Sequence, residues 1–364
     1  MNSRRLHGLS VLRIISMLGI VGLHVLNAGG AFARENLTSL TELPLSVLYI
    51  FCAASVNTFA MLTGYLYADK PNVKYKNIVR LIFTVLFYSA AITALFAVFR
   101  REVFDSVKDV IKYLLPPLAG RFWYITCYVL LFVLIPFLNK LIDSLSLRSF
   151  RLLVILSLIF TSVLPTFLLT DFFGLSRGYC TAWLIVCYLV GAYIKRSKHD
   201  VSVRFLLMLY ALCAVAVTVL SVAAWVILRS FSIYKFLVAY VSPFIVLISG
   251  VSILLFAKLD IKNTALTKVI DSLSGGSFDV YIIHSHILVF DFIITGGFAF
   301  IRDMSPVLAV PAVLISMVAV YLICWAISYL KILIFKIARI DFMADKFGNG
   351  IDTLLEKLSG DGDK

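Results

Sequence analysis

The sequence predicts an all-α, polytopic integral membrane bundle of about ten transmembrane helices, with both termini cytoplasmic. Three observations predict it. First, 61% of the 364 residues are hydrophobic and 15% charged, with a mean hydropathy of +0.99, whereas a soluble domain is roughly half apolar and a quarter charged. Second, the apolar residues form runs of about 20 residues along nearly the whole chain, the length that spans hydrocarbon. Third, most of the 33 Lys and Arg fall in alternate connections, as the positive-inside rule requires. A soluble fold would leave too much apolar surface in water. The same composition excludes a disordered chain and a nucleic-acid-binding domain, so the +13 charge is read as topogenic and the expected surroundings are a lipid bilayer.

In order, the runs cover about 9–29, 44–67, 78–99, 122–139, 150–170, 179–194, 203–228, 236–257, 274–299 and 307–335. Between the third and fourth, Phe104, Val107, Val110, Ile111 and Leu114 recur at helical spacing and predict an amphipathic surface helix, ended by Pro116 and Pro117. The transmembrane domain is expected over 1–340, followed by a short charged cytoplasmic tail at 341–364, part of it helical. Arg4, Arg5, Lys70, Lys74, Lys76, Arg80 and the cations from Lys331 onward then lie on the cytoplasmic side. Arg4 and Arg5, the first run and Ala31-Phe32-Ala33 also fit a signal peptide; Arg13 within the run and nine further spans favour a retained helix. The six cysteines lie in apolar runs without CxxC spacing and read as small buried hydrophobes.

Ionisable side chains at membrane depth need a reason, because each costs a few kcal/mol. Arg13 and His24 are eleven residues apart, about 20° past three full turns, so they share a face about 16 Å apart along the axis. A snorkelling cation explains Arg13 as well. An interhelical hydrogen bond explains His24 as well, although a neutral imidazole also suits a general base. In the ninth run Ser277, Tyr281, His284 and Asp291 fall on one helical stripe, and His286 points elsewhere. Such a stripe faces protein or a cavity, as polar glue or as a substrate wall. Lys76 and Arg80, i and i+4 at a helix start, could hold donor phosphates or simply set topology. There is no HExxH, carboxylate pair, GxSxG or P-loop, and no metal is expected.

Several stretches resemble the membrane-bound acyltransferase family 3, which acylates cell-surface sugars. Val11-Leu12-Arg13-Ile14 through His24 resembles its opening helix. Ser55 through Leu66 resembles its second-helix signature, with Thr63 where Ser is usual. Phe122-Trp123-Tyr124 through Ile135-Pro136, Trp183 through Tyr188 with Gly191-Ala192-Tyr193, and Ser277 through His284 resemble later motifs. Ser10 stands where the family often has Asp, and Asn77 stands at the first position of its RxxR pair, with Arg80 at the second. The resemblance implies transfer of an acyl group, most simply acetyl from acetyl-CoA, to a hydroxyl of an envelope polysaccharide or its lipid-linked precursor in the cell membrane. It implies His24 as general base or acyl relay, Arg13 orienting it or binding donor, and Lys76 and Arg80 on the CoA phosphates. Trp123, Ser277, Tyr281 and His284 would line the cavity, with Arg13, Tyr281 and His284 as unranked oxyanion donors. No bound cofactor is implied, and a homo-oligomer is left open. A transporter or flippase for a lipid-linked sugar or small solute is the alternative; the sequence shows no two-fold repeat to support it. A non-catalytic envelope scaffold explains the buried polar stripes less well.

Overall fold

The computed structural model describes residues 7–32, 41–70, 74–198 and 200–359. Arg4, Arg5 and Ala33 lie outside the described residues. Those described form helices and no strand. The elements are α1 (His7–Leu26), α2 (Glu42–Tyr67), α3 (Lys76–Phe99), α4 (Val107–Leu114), α5 (Trp123–Ser144), α6 (Leu147–Phe167), α7 (Thr181–Ser197) and α8 (Val203–Val226). There follow α9 (Phe231–Leu237), α10 (Pro243–Ala257), α11 (Thr264–Ser285), α12 (Ile287–Asp303), α13 (Pro306–Ile337) and α14 (Ile340–Ser359).

Each of the ten apolar runs becomes helical, but they are not ten equal spans. Seven helices are long and apolar enough to cross a membrane: α1, α2, α3, α5, α6, α8 and α13. The bent pair α11–α12 makes an eighth. The other two runs give helices of 17 and 15 residues, α7 and α10, only about 26 and 23 Å long. The cause is local. Arg177, Gly178 and Lys198 have positive φ on either side of α7, and Pro243, after a non-helical Ser242, delays α10. The ninth run breaks at His286, which leaves the helical region (φ −59°, ψ 137°) and turns the chain by 64°.

The surface helix is present as α4, shorter than its run. Ser106 caps it through the Asp109 N–H, and Pro116 begins the turn that follows. Its Tyr113 is buried against Phe104, while Val107 and Ile111 stay exposed on the face that an interfacial helix gives to lipid.

The buried centre is α2, held between α1, α7 and α10. Gly64 and Gly191 allow the closest crossing: a Cβ on Gly64 would sit 2.0 Å from the Tyr188 carbonyl oxygen, and one on Gly191 1.9 Å from that of Met61. Small residues at such crossings supply the packing that association in lipid depends on. Polar glue reinforces it. Asn57 donates to the Tyr240 carbonyl (2.7 Å) and accepts from the Trp183 indole (2.9 Å). Asn139 donates to the Tyr67 and Lys70 carbonyls and accepts from the Tyr188 hydroxyl (2.6 Å). All six cysteines are free, four of them buried.

Candidate active site

Helix α1 carries two stations. At the first, Arg13 lines a cavity of about 290 Å³ with Asn77 and Arg80 from α3, Asp279 from α11 and Lys331 from α13. Thr63, Tyr67, Phe59, Tyr128 and Phe278 complete much of its wall. The polar part of its lining is Arg13, Arg80 and Lys331 with the Asp279 carboxylate, and Arg80 also meets Asp345. Lys331 donates to Asp279 at 2.6 Å, and both side chains are largely buried. Toward the interior the wall turns aromatic: the Phe278 ring lies 5.4 Å from Tyr128 and 6.2 Å from Phe59.

The second station is His24, three turns further along. Its Nδ1 lies 3.0 Å from Nε2 of His284, on α11. The His284 Nδ1 is 2.5 Å from the Val280 carbonyl oxygen, one turn back. A carbonyl only accepts, so His284 donates from Nδ1, and its Nε2, when neutral, carries a lone pair. The His24 Nδ1 must then be the donor across the pair, which leaves the lone pair of His24 on Nε2. The Ser285 hydroxyl also approaches the His284 Nε2, at 3.4 Å. His284 is buried, His24 only partly so, and the His24 ring meets Phe290 edge-on at 5.1 Å. The proton positions of the pair thus follow from backbone geometry, and the outer imidazole is the less buried of the two.

The structure sorts the residues singled out in the sequence. Arg13 and Arg80 share the cavity, and His24 and His284 are in contact. Tyr281 lies beside the pair, its ring 6.0 Å from His284 and 6.2 Å from Tyr124. Ser277 stands 3.4 Å from the Tyr321 hydroxyl and is not among the residues lining the cavity. Trp123 is also absent from that lining and packs against Tyr179 (4.6 Å) and parallel to Tyr240 (6.1 Å). Lys76 faces Asp345 of α14 at 3.9 Å, outside the cavity wall. Arg80 meets the same Asp345 at 3.0 Å. The four-residue stripe ends at His284: the bend at His286 takes Asp291 away, to within 3.5 Å of Arg121. His286 points elsewhere, as expected, with Nε2 3.0 Å from the Tyr113 carbonyl oxygen.

Sequence reasoning missed Lys331 and Asp279 as cavity residues. Lys331 reads as one of the topogenic cations, although it falls within the apolar run 307–335. Asp279 lies in a quoted motif but off its helical stripe. A lone lysine inside a span and a lone aspartate inside another were the available signals.

A family model described as an acyltransferase domain matches residues 6–329. No curated protein and no solved structure matches the chain. The matched stretch holds Arg13, the His24–His284 pair and all of the cavity lining but Lys331; the end of α13 and the C-terminal helix lie past it. With nearly the whole bundle covered, the chain belongs to the acyltransferase family 3.

Proposed function

We propose that the protein is a membrane O-acyltransferase that moves acetyl from acetyl-CoA to a hydroxyl of an envelope polysaccharide or its lipid-linked precursor, with His24 as general base. The observation that carries this reading is the His24–His284 contact with its Val280 anchor. A sugar hydroxyl is a poor nucleophile until a positioned base takes its proton. The His24 Nε2 accepts that proton while the oxygen attacks the thioester carbonyl. The charge left on the His24 ring is shared with the His284 Nε2 lone pair, which accepts from Nδ1–H throughout. Collapse of the tetrahedral intermediate breaks the C–S bond, and the proton held by His24 goes to the departing thiolate. The products are an O-acetyl ester and free CoA.

The cavity suits the other end of the donor. Arg13, Arg80 and Lys331 supply the charge that phosphates need, and about 16 Å along α1 separates Arg13 from His24, a gap for a long, thin pantetheine arm. This places Lys331 in the donor site and Lys76 at its rim. The same reading sets the cavity mouth, the start of α3 and both termini on the cytoplasmic side of the cell membrane, with all ten apolar runs crossing. The broken α11–α12 helix is the one feature that favours a transporter. The test is purified protein in nanodiscs with acetyl-labelled acetyl-CoA and an envelope-glycan extract. Label transfer or CoA release that disappears in His24→Ala supports the enzyme. Neither activity, with solute uptake into liposomes, overturns it in favour of transport.

A further inference from the structure

We infer that α14 is a bilayer-surface helix, its apolar stripe resting in the lipid boundary where α3 begins and α13 ends, with anionic headgroups on Lys346 and Lys357. The inference needs only the membrane bundle and is independent of acyl transfer. Only Ala338 and Arg339 separate α14 from α13, so α14 starts beside the end of the last apolar helix. Met343, Phe347, Ile351 and Leu354 follow at i, i+4, i+8 and i+11, one stripe of a helix. All four are exposed, Phe347 by 60% and Leu354 by 57%. A soluble surface does not keep such a stripe bare.

The direction of the stripe comes from its neighbours. The Phe347 ring lies 6.5 Å from that of Phe83. Phe83 is seven residues past Lys76 on α3, about 10 Å along its axis into the apolar span. The opposite face of α14 is acidic and already occupied. Asp345 meets Arg80 at 3.0 Å and Lys76 at 3.9 Å, Asp341 lies 3.8 Å from Arg80, and Asp352 accepts the Tyr75 N–H at 3.0 Å. Gly348 lets the helices touch, since a Cβ there would sit 2.3 Å from the Lys76 Cα. Lys346 and Lys357, eleven residues apart, share one flank of the stripe, where long cationic side chains reach headgroups. With its acids turned to α3 and its lysines to lipid, the helix fits an anionic leaflet by charge as well as by apolar area.

The full chain in nanodiscs, one protein per disc, tests this. Ile351→Cys places a thiol on the stripe, and Asn349→Cys places one on the exposed far face. Labelling by a membrane-impermeant maleimide is read against the wild-type background of native cysteines. In discs containing phosphatidylglycerol the thiol at 351 should label at least about tenfold more slowly than that at 349, as expected for a face sunk in the interface. In neutral phosphatidylcholine discs the gap should narrow. Equal rates in anionic discs overturn the proposal. Protection that appears only with two proteins per disc means that a second copy covers the stripe, and also overturns it. A gap identical in neutral discs overturns the headgroup contribution. Leu354→Cys repeats the measurement should Ile351→Cys fail to fold.

Discussion

At the scale of single residues, three histidines with similar sequence surroundings receive different roles. His24→Ala should cost roughly 100-fold or more in turnover, the usual scale for one positioned base, with little change in melting temperature, because the Ser285 hydroxyl remains beside the His284 Nε2. His284→Ala should lower kcat with little effect on the KM for acetyl-CoA, because it removes the group that fixes the His24 tautomer and leaves the donor cavity intact. His284→Gln, whose side-chain carbonyl can still accept from His24 Nδ1–H, should recover part of that loss, a rescue that a purely packing role would not show. His286→Ala should act on stability. Its ring is fully buried and meets the Tyr113 carbonyl at the bend, so the variant should melt at a lower temperature through an unpaired polar group, worth about 1–3 kcal/mol; an unchanged melting temperature would contradict this. The shared face of Arg13 and His24 was legible, because helical phase within one element is arithmetic. The His24–His284 contact was not, because it joins positions 260 residues apart, and no periodicity reports which helices become neighbours.

At the scale of elements, the cavity depends on α11 and α13 meeting through Lys331 and Asp279. Removing one member of a buried pair strands the other charge, typically at about 3–5 kcal/mol. Lys331→Met should therefore lower the melting temperature strongly, and the double variant Lys331→Met with Asp279→Leu should regain much of it while keeping a raised KM for acetyl-CoA. A double variant with an unchanged KM would remove Lys331 from the donor site. The aromatic wall is a second element-scale feature: Phe278 lines the cavity with its ring against those of Phe59 and Tyr128. Phe278→Trp should raise the KM for acetyl-CoA, since a larger ring takes space from the cavity it lines; an unchanged KM would count against a donor in that cavity. The amphipathic α4 and its proline stop were legible because both signals are local. The break at His286 was not, since no proline or glycine marks it and the Tyr113 carbonyl that the His286 ring meets comes from α4.

At the scale of the whole molecule, the paired charges mark one face of the bundle. Asp69 lies 4.0 Å from Lys195 and Asp200 2.5 Å from Lys258, which gathers the ends of α2, α7 and α10 at one level. The start of α3 brings Lys76 and Arg80 against the acids of α14. The composition foretold a helical membrane bundle because hydrophobic runs need no partner to be recognised. The sixth run, 179–194, was legible as the shortest of the ten; the shortening of the eighth was not, because the break at Ser242–Pro243 is a local backbone event within apolar sequence. If α7 and α10 cross in spite of their length, the alternation is unbroken and the charged face is cytoplasmic. Reporter fusions after Gly174, between α6 and α7, should then read outside, and fusions after Lys262, between α10 and α11, should read inside. Both on one side would mean that either α7 or α10 does not cross, since α8 lies between them. The reverse assignment would place the cavity cations outside the cell, away from any acyl-CoA pool, and the donor assignment of Arg13, Arg80 and Lys331 would fall with it.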